Sequence, residues 1–154
     1  MTHVFNSVFA ILLGFFSVMA VPVMAAGTSD GSSAASTTQP TYEQAKATVD
    51  AGKFKEALPM LVALTKTDPK NADAWNLLGF TYRKLGQMDD SSTAYLKVLA
   101  INPNHLGALE YQGELFITTG KIKEAKANLA KLKGLCGNCE QSKDLEKALK
   151  TAGA

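Results

Sequence analysis

Three glycines, Gly52, Gly86 and Gly120, stand at a constant interval of 34 residues. A chain that repeats itself at such a period is built from stacked copies of one supersecondary unit. The same interval carries Ala45 onto Gly79 and Gly113, Thr48 onto Tyr82 and Phe116, and Ala57 onto Ser91 and Ala125. The clearest copy runs from Ala72 to Pro103 and opens with Trp75, Leu78, Gly79 and Tyr82 at helical spacing. Two antiparallel helices approach to about 8–10 Å only where the side chains at the contact are small, so Gly79 and Ser91 are expected at the crossing. Around them Leu61, Tyr95 and Leu129 form one register of large residues, and Leu64, Val98 and Leu132 another. The three glycines end the first helices, where a positive φ closes the turn. Pro69 and Pro103 end the second helices.

The pattern W-x2-L-G-x2-Y, followed by Tyr95 and the closing Pro103, resembles the tetratricopeptide repeat, a 34-residue helix-turn-helix unit. The resemblance implies an all-α fold: three tandem hairpins in a right-handed α-solenoid, with a C-terminal capping helix. The repeats fall at about 38–71, 72–105 and 106–139 and the cap at about 140–151, within a domain spanning 41–151. The third copy departs from the pattern, with Leu109 for the Trp, Gln112 for the Leu, Phe116 for the Tyr and Gly137 where a Pro is expected. The first departs further, with Thr41, Gln44 and Thr48 at the Trp, Leu and Tyr positions.

Local signals set the helix ends. Thr41 followed three residues later by Gln44 reads as a capping box, and Asn71 can cap the helix of the middle copy. Pro59 falls inside the second helix, where it removes a hydrogen bond and predicts a kink near Lys55. An end repeat has one face without a neighbour, and Leu145, Ala148 and Leu149 lie on one side of a charged helix suited to cover it.

The amino terminus carries an apolar run from Val8 to Ala20, then Pro22 and the small residues Val23 and Ala25. This reads as a secretory signal peptide over 1–25, with the mature chain starting near Ala26. The alternative is a retained anchor, because Val4 to Ala26 approaches membrane-spanning length; no Lys or Arg precedes the run, so the usual positive flank is thin. No Cys follows the cut, which excludes a bacterial lipoprotein anchor. Residues 26–40 are small and polar and read as a flexible linker. The expected product is periplasmic or secreted, with no membrane association once the leader is removed.

A net charge of +2 over 154 residues provides no basic surface of the kind nucleic acids require, so no nucleic-acid partner is expected. No Ser-His-Asp set, carboxylate pair, phosphate loop or metal cluster is present, so no catalytic residue, metal or cofactor is expected. Cys136 and Cys139 are the only cysteines. A c-type haem site needs His after the second Cys, and Glu140 stands there; zinc needs four ligands, and only His105 remains in the mature chain. Two readings stay open. One is a structural disulfide across Gly137 and Asn138, a small ring contributing about 2 kcal/mol by chain entropy and pinning the cap. The other is a thiol–disulfide redox pair, its thiol activated at the start of the cap helix, although no βαβ pattern surrounds it. The string LCGNCE before a DLxKAL helix, after HLGALEYQGELF, is similar to small exported bacterial repeat proteins with a Cys-containing turn after their last repeat. That resemblance implies export in a Gram-negative bacterium and names no activity.

Stacked repeats of this family curve so that their first helices line a concave groove, the usual peptide site. By the period, the lining should include Tyr42, Lys46, Val49 and Asp50, then Asp73, Asn76, Phe80, Arg83 and Lys84, then Gly107, Glu110, Glu114, Ile117 and Thr118. Phe80 and Tyr42 are candidate anchors for a guest side chain, and Arg83 with Lys84 for an acidic group. Chaperone-binding members of the family hold a terminal carboxylate with Lys, Asn and Arg on three first helices. Lys46 and Asn76 match two of these, but Gly107 and Tyr111 stand where a basic pair is needed, so that mode is not expected. The expected function is a protein-binding adaptor or scaffold, with a protein or peptide partner and no enzymatic activity. The alternatives are a redox protein using Cys136 and Cys139, and a structural repeat protein that self-associates weakly through an uncapped end.

Overall fold

Each first helix opens on a side chain that caps it. The Thr41 hydroxyl accepts from the Gln44 amide at 3.2 Å, and the Gln44 side chain accepts from the Thr41 amide at 2.9 Å. The Asn71 carbonyl oxygen accepts from the Ala74 amide at 2.9 Å, and Nδ1 of His105 accepts from the Ala108 amide at 3.1 Å. These contacts satisfy N–H groups that a helix start otherwise leaves without partners. They open α1 (Tyr42–Asp50), α3 (Ala72–Lys84) and α5 (Leu106–Thr118) in a computed structural model that describes residues 39–154. The expected signal peptide and most of the linker lie outside the described residues.

Gly52, Gly86 and Gly120 follow with φ of 72°, 79° and 75°, turning the chain into α2 (Phe54–Thr67), α4 (Met88–Ile101) and α6 (Ile122–Cys136). Helix α2 is assigned as one helix through Pro59, which stands on its exposed side. Helix α7 (Glu140–Thr151) completes seven helices, with no strand among the described residues.

The middle hairpin closes on Gly79. A Cβ there would lie 2.7 Å from the ring of the fully buried Tyr95, and the Ser91 hydroxyl donates to the Gly79 carbonyl at 2.8 Å. Trp75 donates its indole N–H to the Pro69 carbonyl at 3.1 Å. Its ring packs on the Leu61–Leu78 cluster between the first and middle hairpins and on the Tyr95–Val98 cluster beyond, joining the two cores. Ala45, Ala57, Leu61, Val98 and Leu132 are all fully buried, and each large apolar side chain so placed contributes about 1.5–3 kcal/mol.

The third hairpin is closed by the expected capping helix as well as by its own two helices. Gly113 is faced by Leu145 of α7, whose Cδ2 would lie 2.5 Å from an added Cβ. Gln112, standing where the middle copy has Leu78, is served by Asn128 of α6: the Asn128 amide donates to the Gln112 side chain at 3.1 Å and to the Leu109 carbonyl at 3.0 Å. The polar departure in one helix is thus answered by a polar residue in its partner. Cys136 ends α6, Cys139 precedes α7, and the two are joined in a disulfide around Gly137, whose φ is 62°. Glu146 of α7 pairs with Lys133 of α6 at 3.3 Å and with Lys150 at 3.4 Å, and these lysines hold its carboxyl below the usual range.

Candidate functional site

The helices approach one another unequally on the two sides of the array. Helix α1 approaches α3, α3 approaches α5 and α5 approaches α7 to within 8 Å between Cα atoms, whereas α2, α4 and α6 do not come that close to one another. The side formed by the first helices is therefore the concave one, and α7 continues it.

Near the middle of that face lies the Phe80 ring, half-buried. Phe54, the first residue of α2, meets it edge-on at 6.0 Å between centroids, and Tyr111 of α5 lies at 5.0 Å. The Arg83 guanidinium and the Lys84 ammonium stand 5.5 and 5.2 Å from the ring centroid, distances at which a cation is attracted by the aromatic face. Arg83 is not available to an incoming carboxylate as the sequence suggested, because it is ion-paired with Glu114 across α3 and α5. Lys84 is exposed and has no carboxylate partner among the described residues. Behind this layer the Tyr95 phenol is pushed upward by burial, opposed by the neighbouring Arg83 charge.

Asn76 is only 9% exposed, and its Oδ1 is buried without a hydrogen-bond partner. Its amide nitrogen occupies the space over Gly107, 3.2 Å from where a Cβ would stand. Beside it, His105 lies 2.9 Å from the Asp73 carboxylate. Because Nδ1 of this ring accepts from the helix, its Nε2 carries the hydrogen that Asp73 accepts. Tyr42 lies half-buried at the far end of the face, its phenol raised by burial and then by Asp73, Asp50 and Glu43. Lys46 is exposed and held by Asp50 at 2.6 Å.

Glu110, Glu114 and Ile117 occur one turn apart along α5. With Asp144, Lys147, Ala148, Thr151 and Ala152 of the C-terminal segment they line a cleft of about 500 Å³. The Glu110 residue is 7% exposed. Burial, then the charges of Glu114, Asp144 and Glu140, raise its carboxyl to about 8, with Arg83 opposing them.

Of the residues expected to line the groove, the structure gathers Phe80, Arg83, Lys84 and Glu114 around one aromatic centre, and places Glu110 with Glu114 and Ile117 in the cleft. Tyr42 and Asn76 lie elsewhere along the face, and Lys46 is engaged within its own helix. Sequence reasoning missed Phe54, Tyr111 and the α7 residues. The signal for α7 was the period itself: steps of 34 from Tyr42 reach Asn76, Glu110 and then Asp144, so the cap continues the register of the first helices. Among the described residues no group of acidic, His and Cys side chains is arranged to hold a metal ion.

Three helical hairpins stacked with their first helices inward and closed by a seventh helix define an α-solenoid. Part of the sequence agrees: residues 48–113 match the model of the tetratricopeptide repeat. The fold is an all-α solenoid of the tetratricopeptide-repeat type. Among solved structures it is similar to the first repeat domain of Spaghetti (RPAP3) bound to an HSP90 peptide, with a TM-score of 0.64 and 19% identity over 73% of this chain and 90% of that one. The type III secretion translocator chaperone SycD of Yersinia enterocolitica gives a TM-score of 0.65 at 20% identity, over 73% and 80% of the two chains. PcrH, in complex with the chaperone-binding region of PopD, gives 0.64 at 17% identity, over 73% and 87%. At these identities the likeness establishes the fold. Comparison with curated proteins gives no match.

Proposed function

We propose that this chain is an exported, non-catalytic adaptor that binds an extended segment of a partner protein along the concave face of α1, α3 and α5. The observation that carries this reading is the half-buried Phe80 platform, where Phe54, Tyr111, Arg83 and Lys84 converge from three helices. Such a surface offers an apolar side chain a large contact area at little entropic cost, since the ring is already held by its neighbours. Lys84, rather than Arg83, is the cation open to an acidic group of the guest.

Two structures of the same fold support the reading by what they hold: an HSP90 peptide in one and the chaperone-binding region of PopD in the other. Export is supported by the apolar leader ending in small residues and by the Cys136–Cys139 disulfide, a bond that persists in oxidising compartments.

The test compares the mature chain with a Phe80→Ala, Lys84→Ala variant of unchanged helicity as baits in an envelope extract. Partners bound through the concave face are retained by the first and lost by the second. Equal recovery of every partner by both removes the concave face from the function.

A further inference from the structure

We propose that the cleft between α5 and α7 is a receptor for a cationic side chain, an arginine or lysine carried by the segment bound on the concave face. The proposal rests on the peptide-binding reading above and specifies one residue class of the guest.

The groups lining this cleft are mismatched to an empty, solvated space. Glu110 is more than nine-tenths buried, lines the cleft, and makes no hydrogen bond or ion pair among the described residues. Its carboxyl meets solvent only through the cleft and has no partner there, so it carries a desolvation cost that a bound cation would relieve. The other charges facing it are Glu114 on α5, Asp144 and Glu140 on α7, and Arg83 on α3. Arg83 and Glu114 neutralise each other, so the remaining field at the site is negative. Lys147 also lines the cleft, but it is exposed and can turn its ammonium to water.

The rest of the lining suits the stem of such a side chain. Ile117 and Ala148 provide apolar surface for methylene groups. A volume of about 500 Å³ accommodates one long side chain with part of its backbone. A carboxylate guest would meet Glu110 and Asp144 at close range, and a purely apolar one would leave Glu110 as it is. The cleft lies one repeat beyond the Phe80 platform, so the expected guest places its apolar anchor and its cation on successive repeats.

Binding draws on the ionised form of Glu110, and the free protein holds this group protonated until about pH 8. Affinity for a cation must therefore rise with pH through the region around 8, by about tenfold in all, and level off above it. Arginine keeps its charge throughout, so the dependence reports the protein.

The probes are a capped Gly-Arg-Gly peptide and its Gly-Gln-Gly counterpart, titrated against the mature protein while the Ile117 and Ala148 methyl resonances are followed by NMR. The arginine peptide is expected to shift both methyls, more tightly at pH 9 than at pH 6. The Glu110→Gln variant should bind it about tenfold more weakly and lose the pH dependence. Asp144→Asn, which leaves the buried position untouched, should weaken binding less. Equal response to the neutral peptide, or unchanged affinity in both variants, overturns the proposal. A partner lost on Phe80→Ala but captured equally by Glu110→Gln would overturn the cationic cleft and leave the concave face standing. A partner indifferent to Phe80→Ala would overturn the wider reading, and the peptide titration would still decide the cleft.

Discussion

The middle and third hairpins place a glycine at the same register position and use it differently. At Gly79 the space is filled from within the hairpin by the rigid ring of Tyr95; at Gly113 it is filled from outside, by the flexible tip of Leu145 on α7. The middle hairpin therefore closes on itself, and the third is completed by the helix that follows it. A capping helix in this chain is a packed component of the last repeat.

The largest test of that contrast is truncation of the two filling side chains, both fully buried. Tyr95→Ala is expected to cost about 3–5 kcal/mol and Leu145→Ala about 2–5 kcal/mol. The distribution separates them further. Stability in stacked repeats is carried by neighbours, so Leu145→Ala should raise hydrogen exchange in α5, α6 and α7 while α1 to α3 remain protected. Uniform loss of protection in Leu145→Ala would show that the third hairpin is no more dependent on α7 than the middle one.

Removing the tether between α6 and α7 comes next. Opening the Cys136–Cys139 ring by Cys→Ala at both positions should cost about 2 kcal/mol, read as a lower denaturation midpoint. The exchange increase is expected to stay small and confined to α7, because Glu146 with its two lysines and the Leu145 contact still hold the helix in place. A variant equal in stability to the native chain would assign the pair no structural role and favour its redox reading.

Adding a methyl group sharpens the same comparison. Alanine is intrinsically better than glycine in a helix by about 1 kcal/mol, and overpacking opposes that gain. At Gly79 the added Cβ meets an aromatic ring at 2.7 Å, and Tyr95 is enclosed on all sides. At Gly113 it meets leucine methyls, which move by rotation about one side-chain bond. Gly79→Ala should be destabilising by about 1–2 kcal/mol and Gly113→Ala nearly neutral, as thermal midpoints of the two variants will show.

What the sequence disclosed and what it hid divide along a physical line. The Thr41–Gln44 capping box, the Asn71 cap and the positive-φ glycines are contests settled within three or four residues, and they stand in the structure as read. The burial of Ala45, Gly79 and Gly113 followed from the period. The Arg83–Glu114 pair, the reach of Phe54 to Phe80 and the insertion of Leu145 over Gly113 depend on how successive elements are set against one another. No short window carries that information. His105 was passed over as a cap because its residue type seldom plays that part, and here the ring does so with its other nitrogen turned to Asp73.

Glu110 belongs to the same hidden class, since its position on the concave register reads as a solvated charge and only the approach of α7 encloses it. Its counterpart in the middle repeat is Asn76, a neutral residue buried to a similar extent, so the two repeats differ at this site by an ionisable proton. The folded state raises the Glu110 carboxyl from 4.5 to about 8. The native protein thus binds more protons than the unfolded chain between these values, and stability falls as pH rises through that window. Glu110→Gln removes the ionisation and keeps the shape. Its thermal midpoint should match the native protein near pH 4.5 and exceed it above pH 8. One side of the carboxyl faces an open cleft, so solvent screening reduces the gain to about 1 kcal/mol. An Asn76→Asp substitution carries the comparison back to the middle repeat. If burial alone sets the behaviour, the new carboxylate will make stability fall with pH in the same direction; if the acidic residues of α7 are required, it will not.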